Sequence, residues 1–344
     1  MLEVGRTLAI ALAGALLGVW LRIPLPWFVG PLAAVALYSL TGHRLAAPAF
    51  GRDAGQWIIG TALGLYFTPV VVRQVIELAP WVALNTLFFI LLGLAGAWSL
   101  RRLTGESGTT AFFAAAIGGA SEMAAQAELH GARVDRVAAA HSLRVMMVAL
   151  IVPFALQFSG SHGADPYEPV AARFDWAGMA ALAAVTGGGA IVLQRLRLPN
   201  AWMLGPLLVA GALTVNGYSL SNVPTALINA GQLLIGVALG ARFTAEFFRA
   251  APRYLAAVAL ITLGYLVLSA LFGVWLAYAS GLAPGTAVLA ATPGGVGEMA
   301  LTAKLLQLGA PIVTAFHCVR IVLIVVGIGA LYRVLARLSK RGAE

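Results

Sequence analysis

Two uncharged stretches, residues 198–241 and 254–297, each run for 44 residues and limit this chain more than any other feature. A soluble fold has no use for such runs, because charged and strongly polar side chains belong on its water-facing surface. A membrane-spanning helix needs about 20 consecutive apolar residues. The same bias holds over all 344 residues: 60% are apolar and 10% are charged, where an average globular protein has roughly 25% charged residues. The chain therefore reads as an all-α polytopic membrane protein whose main partner is the lipid bilayer. Its net charge of +9 does not indicate nucleic acid, because the 20 Arg residues are spread over many short loops rather than along one face. The single Cys318 excludes an intrachain disulfide framework and a multi-thiolate metal site. Five scattered His residues give no metal-ligand spacing, and no nucleotide loop, nucleophile–base set or haem motif is present. Neither an enzyme, nor a cofactor, nor a bound metal is expected.

The chain is written twice. Arg22-Ile-Pro-Leu-Pro-Trp27-Phe-Val-Gly30-Pro31-Leu32 recurs as Arg197-Leu-Pro-Asn-Ala-Trp202-Met-Leu-Gly205-Pro206-Leu207, a shift of 175. Gly55–Thr68 recurs as Gly231–Thr244 at a shift of 176, with nine of fourteen positions identical. Gly118-Gly119-Ala-Ser121-Glu122-Met123 matches Gly294-Gly295-Val-Gly297-Glu298-Met299, and His141…Arg144 matches His317…Arg320, also at 176. A polar stretch, 159–174, separates a first membrane repeat, 1–158, from a second, 175–344.

Each repeat holds six apolar segments. They lie near 6–21, 26–41, 54–69, 79–99, 109–129 and 134–157, then near 176–193, 202–216, 227–241, 254–279, 284–305 and 309–332. The fifth segment of each carries Gly-Gly and a Glu at its centre, which is costly for a helix crossing hydrocarbon. If it crosses, the repeats are parallel; if it is a re-entrant hairpin, they are inverted. Loop charge separates the two, since cytoplasmic loops collect Lys and Arg. Six spans per repeat divide the 20 loop-borne Lys and Arg evenly, ten to ten, whereas five spans plus a hairpin place sixteen on one side and four on the other. The expectation is an inverted repeat of two five-span halves, ten spans and two hairpins. Both termini then lie in the cytoplasm.

Inverted repeats with interrupted helices place unwound backbone near the bilayer midplane, where transporters bind their solutes. Gly118, Gly119, Ser121, Gly294, Gly295 and Gly297 mark the two tips, where glycine permits φ > 0 and leaves amides free for an anion. Packing between helices is the competing role for such small residues. Arg144 and Arg320 present planar forks suited to a carboxylate or phosphate. Glu122 and Glu298 are intramembrane acids suited to a coupling ion, with His141 and His317 as proton-relay candidates. Glu122–Arg144 and Glu298–Arg320 ion pairs are the structural alternative. Trp27 and Trp202 read as interfacial anchors, and Gln56 and Gln232 as weaker polar candidates.

With its duplicated Trp-x-x-Gly-Pro, Gly-Gln-x-x-Ile-Gly and Gly-Gly-x-x-Glu-Met motifs, the chain resembles the bacterial AbrB-type membrane protein family over nearly its whole length. That family is built from two copies of one membrane module, and the resemblance implies a bacterial inner membrane. The labels its members carry, gene regulator or ammonia monooxygenase, do not define an activity, and no copper-ligand cluster is present here. The architecture is similar to that of the glutamate–sodium symporter and 2-hydroxycarboxylate transporter families, whose hairpins carry Gly-Gly-x-Gly. Gly294-Gly-Val-Gly297 matches that pattern, and Gly118-Gly-Ala-Ser121 departs at its last position. The similarity implies a homodimeric elevator-type carrier. The function expected is secondary transport of a small anion, such as a carboxylate, coupled to H⁺ or Na⁺. A membrane-embedded ligand sensor or regulator of gene expression is the alternative.

Overall fold

A computed structural model describes residues 2–43, 45–164, 167 and 173–341, so part of the stretch 159–174 falls outside the described residues. The first repeat forms α1 (Leu2–Trp20), α2 (Pro26–Leu40), α3 (Gly51–Gly64), α4 (Pro69–Glu77), α5 (Ala79–Thr104), α6 (Gly108–Ala115), α7 (Ala120–Leu129) and α8 (Val134–Phe158). The second forms α9 (Trp176–Arg195), α10 (Ala201–Val215), α11 (Thr225–Gly240), α12 (Ala245–Ala250), α13 (Pro252–Ser280), α14 (Pro284–Ala290), α15 (Val296–Leu305) and α16 (Ala310–Arg341). The two series match helix for helix.

The sequence repeat sets this match through its boundaries. Thr68 and Thr244 cap α4 and α12, each hydroxyl accepting from the backbone N–H three residues on at 3.3 Å. Gly105 and Gly281 end α5 and α13 in the left-handed conformation, at φ 71° and 72°. The Pro-containing breaks before α2 and α10 share an irregular backbone: Arg22 and Leu25 have φ 54° and 48°, Arg197 and Asn200 56° and 52°. Gly205 lets α10 approach α9 closely, since a Cβ there would lie 2.6 Å from the Cα of Ala190.

Among the described residues, six helices are long and apolar enough to cross a membrane: α1, α5, α8, α9, α13 and α16. The segment expected as a simple span near 54–69 ends early. Its helix α3 stops at Gly64, and α4 leaves it at 94°, so the two count as a seventh span only as a bent pair. The helices α2, α10 and α11 are apolar but have 15, 15 and 16 residues. At 1.5 Å per residue they reach about 23 Å, short of a hydrocarbon core of about 30 Å.

The helices sort into two bundles, and each repeat contributes to both. In one, α2 packs between α1 and α11 while α10 packs between α9 and α3, which also meets α11. In the other, α5 and α13 lie together and carry α6, α8, α14 and α16 around them, with α7 and α15 on α8 and α16. Apolar contacts of Phe28, Ile59, Met203, Val296, Leu301 and Ile321 seal the two bundles against each other.

The fifth segment of each repeat is broken, at 116–119 and at 291–295, as its Gly-Gly centre requires. The two hairpins open at opposite ends of α13, which at 29 residues is about 43 Å long. The loop after the first lies at the start of α13, where the Tyr254 hydroxyl donates to the carbonyl of Arg136 at 2.9 Å. The second begins just past the end of α13, where the Thr286 hydroxyl donates to the Leu308 carbonyl at 2.8 Å.

Candidate functional site

A cavity of about 320 Å³ lies between the bundles, where both hairpin tips converge. One wall is formed by residues 117–122 and 293–298 with His141, Arg144 and Arg320 behind them. The facing wall is formed by Arg52, Asp53, Gln56, Asn200, Trp202 and Arg242. Of the candidate site residues singled out from the sequence, Gly118, Gly119, Ser121, Glu122, His141, Arg144, Gly294, Gly295, Gly297, Glu298 and Arg320 all line it and His317 does not; Gln56 and Trp202 also line it, whereas Trp27 and Gln232 line a separate, smaller cavity.

The tips explain the Gly-Gly-x-x-Glu-Met motif, and the expected positive φ is not the reason. Gly119 and Gly295, the N-cap residues of α7 and α15, have φ −68° and −76°. None of the tip glycines is left-handed. What they provide is space. The carboxylates of Glu122 and Glu298, at the third position of their helices, fold back over Gly119 and Gly295, where a Cβ would collide with them. A Cβ on Gly118 or Gly294 would strike Met123 or Met299, at 3.0 and 2.6 Å. Both methionines are fully buried and anchor the tip from beneath. Each tip therefore starts a helix facing the cavity, with its first N–H groups lacking intrahelical acceptors and an acid beside them.

The Glu–Arg ion pairs are not formed. Glu122 Oε1 accepts from the backbone N–H of Asn200 at 3.2 Å. Arg320 donates from Nη1 to the carbonyl of Thr292 and from Nη2 to that of Gly294, both at 2.7 Å. Its guanidinium also lies 4.3 Å from the centroid of the Phe89 ring. The break in the second hairpin frees carbonyls that a continuous helix would satisfy, and in an apolar interior these outbid a carboxylate already solvating its own helix start. Two residues before Thr292, the carbonyl of Ala290 receives Asn85 Nδ2 at 3.4 Å.

The first hairpin is held differently. Tyr265, in the place where the first repeat has Phe89, donates its hydroxyl to the carbonyl of Ala115 at 3.1 Å. His141 Nε2 bonds the carbonyl of Phe113 at 2.9 Å, and Arg144 Nη2 lies 2.8 Å from His141 Nδ1. A carbonyl only accepts, so Nε2 carries the proton and Nδ1 accepts from Arg144. The ring is the neutral Nε2–H tautomer. His317 instead bonds the carbonyl of Val313 on its own helix through Nδ1, at 2.9 Å.

Several residues of the facing wall do not stand out in sequence. Arg52 and Arg242 read as loop charges that set topology, yet both line the cavity, and Arg242 reaches the Ser142 hydroxyl at 3.5 Å. Asn200 stands where the first repeat has Leu25. That polar replacement inside a duplicated motif is the signal that could have found it. Gln56 donates to its side chain at 2.9 Å. Trp202 packs edge-on against Phe50 at 4.7 Å and lines the cavity.

Comparison with known proteins finds relatives along most of the chain. The chain is 25% identical over 358 residues to a Bacillus subtilis (strain 168) protein named "Uncharacterized protein YhjN", covering 96% of this chain and 92% of that one. It is 27% identical over 290 residues to an Escherichia coli (strain K12) protein named "Putative regulator AbrB", covering 82% of each. Residues 27–336 match the family model described as transition state regulatory protein AbrB. The chain belongs to the AbrB family, as a multi-helix member with membrane-length apolar helices.

Proposed function

We propose that this protein is a secondary active carrier for a small anion, coupled to H⁺ or Na⁺ and working by movement of one helix bundle against the other. One observation carries the reading: two broken-helix starts, each with an acid at its third position, meet two buried arginines in one cavity between the bundles. Helix starts and guanidinium groups favour an anion, while Glu122 and Glu298 supply carboxylates for a coupling ion. The cavity volume suits a solute of a few heavy atoms rather than a lipid.

The proposed topology is the ten-span inverted repeat in an inner membrane, with the short helices α2, α3, α10 and α11 as its thin spans. The opposite openings of the two hairpins support it, as does the sixteen-to-four division of loop charge. In this topology Arg52, Asn200 and Arg242 lie toward the cytoplasm, so the cavity opens inward.

Flux into proteoliposomes tests the function. Purified protein should take up a radiolabelled small carboxylate or phosphate in response to an imposed H⁺ or Na⁺ gradient. Saturable binding in detergent with no flux under any gradient would instead favour a ligand sensor.

A further inference from the structure

The two repeats use their arginines unequally. Arg320, which is 1% exposed, has both terminal nitrogens bonded to the hairpin break at Thr292 and Gly294, its face on Phe89 and its Nε buried with no partner among the described residues. It is spent on backbone. Arg144 is 4% exposed and lines the same cavity, yet among the described residues its guanidinium makes one hydrogen bond, to His141. No described residue donates a side-chain bond to the carbonyls of Ala116 and Gly118, which match the two that Arg320 holds. A guanidinium has five N–H donors, so most of those on Arg144 remain for something in the cavity.

From this we infer that Arg144 is the residue that forks onto the bound anion, that His141 is the positioning residue that aims it, and that Arg320 holds the second hairpin in shape. The inference rests on the anion-carrier reading and narrows it to one guanidinium and a planar or tetrahedral oxyanion. His141 suits the task because both its nitrogens are engaged: Nε2–H is fixed on Phe113 and Nδ1 accepts from Arg144. The ring thus ties Arg144 to the last turn of α6. The first tip, Gly119 to Glu122, stands beside Arg144 on the same wall and offers the helix-start amides. Carboxylate and phosphate share two oxygens at fork spacing. Chloride does not.

The experiment is thermal unfolding of the full-length protein in detergent, titrated separately with acetate, succinate, inorganic phosphate and chloride. Binding to the folded state raises the melting temperature by mass action. The wild type should be stabilised by at least one oxyanion at lower concentration than by chloride, and the arms separate carboxylate from phosphate. Arg144→Gln should melt near the wild type but lose that shift by at least tenfold in concentration. Arg320→Lys should melt lower while losing far less affinity. His141→Leu should weaken the anion response, and His141→Gln, which can still donate to Phe113 and accept from Arg144, should restore most of it. A merely structural histidine would show no such rescue at constant melting temperature. An intact shift in Arg144→Gln, with loss in folded Arg320→Lys, would overturn this assignment and leave the anion-carrier reading standing. A wild type that responds to none of the oxyanions would overturn both.

Discussion

Glu122 and Asn200, 78 positions apart and in different repeats, meet across the two bundles, the Asn200 backbone N–H donating to Glu122 Oε1 at 3.2 Å. The contact depends on the left-handed turn at Asn200, where the N–H no longer faces along α10, while the side chain takes a bond from Gln56 at 2.9 Å. Asn200 is thus a brace between the hairpin tip and the opposite wall.

Substitutions at Asn200 should separate its backbone from its side chain. Asn200→Gly keeps the left-handed backbone and the N–H, and loses the Gln56 bond, at a cost of about 1 kcal/mol. Asn200→Ala loses the same bond and adds left-handed strain of roughly 1–2 kcal/mol. Chemical denaturation in detergent should rank wild type above Gly and Gly above Ala; equal stability of the two variants would show that the turn carries no strain.

The three tip glycines of the second hairpin should differ sharply. Gly295→Ala drives a methyl into the Glu298 carboxylate, and Gly294→Ala into Met299, each costing about 1–3 kcal/mol as overpacking. Gly297→Ala meets nothing nearer than Met203 Cε at 3.9 Å and should be tolerated within about 0.5 kcal/mol. Pairing Gly295→Ala with Glu298→Ala should recover the stability lost by the first change alone, as read from unfolding midpoints.

Removing Arg320 should not be cured by removing Glu298. Arg320→Met orphans the carbonyls of Thr292 and Gly294, each bond to a charged group being worth about 1.5–3 kcal/mol. Glu298→Gln does nothing for those carbonyls, so the double variant should be no more stable than Arg320→Met. Recovery of the wild-type midpoint in the double variant would mean that the two residues neutralise each other after all.

Topology can be read with thiol reagents in a Cys318→Ser background. A cysteine at Ser161 should react with an impermeant maleimide added outside intact cells. One at Arg249, which is exposed at the end of α12, should react only after the membrane is opened. Reaction of both from outside would rule out the inverted arrangement.

Much of the site is written in the duplication, because a motif that recurs at a shift of 176 marks positions where both copies need the same local shape. That logic located both hairpin breaks and eleven cavity residues. It could not distinguish two uses of glycine. Gly119 and Gly295 serve by lacking a Cβ, not by reaching positive φ, and only the path of the Glu side chain reveals which. Nor could it foresee where Arg320 points, since the acceptors it chooses are carbonyls exposed by the break, and carbonyls are present at every position of a sequence. Arg52 and Arg242 were hidden for a different reason: they have no counterpart in the other repeat, so they resembled ordinary loop charge. The short α3 followed by the bent α4 was hidden because an apolar run continues past Gly64 through the turn.

The unequal fates of Arg144 and Arg320 bear on why one chain carries both modules. Two separate, identical modules joined by a two-fold axis must place the same residue in the same surroundings on both sides. Such a dimer could not bind one arginine to backbone and leave its twin open to the cavity. Fusion into a single polypeptide removes that constraint, since Phe89 and Tyr265, or Leu25 and Asn200, can then be chosen independently. Division of labour between the halves is what covalent linkage makes accessible, and the paired arginines are where it shows.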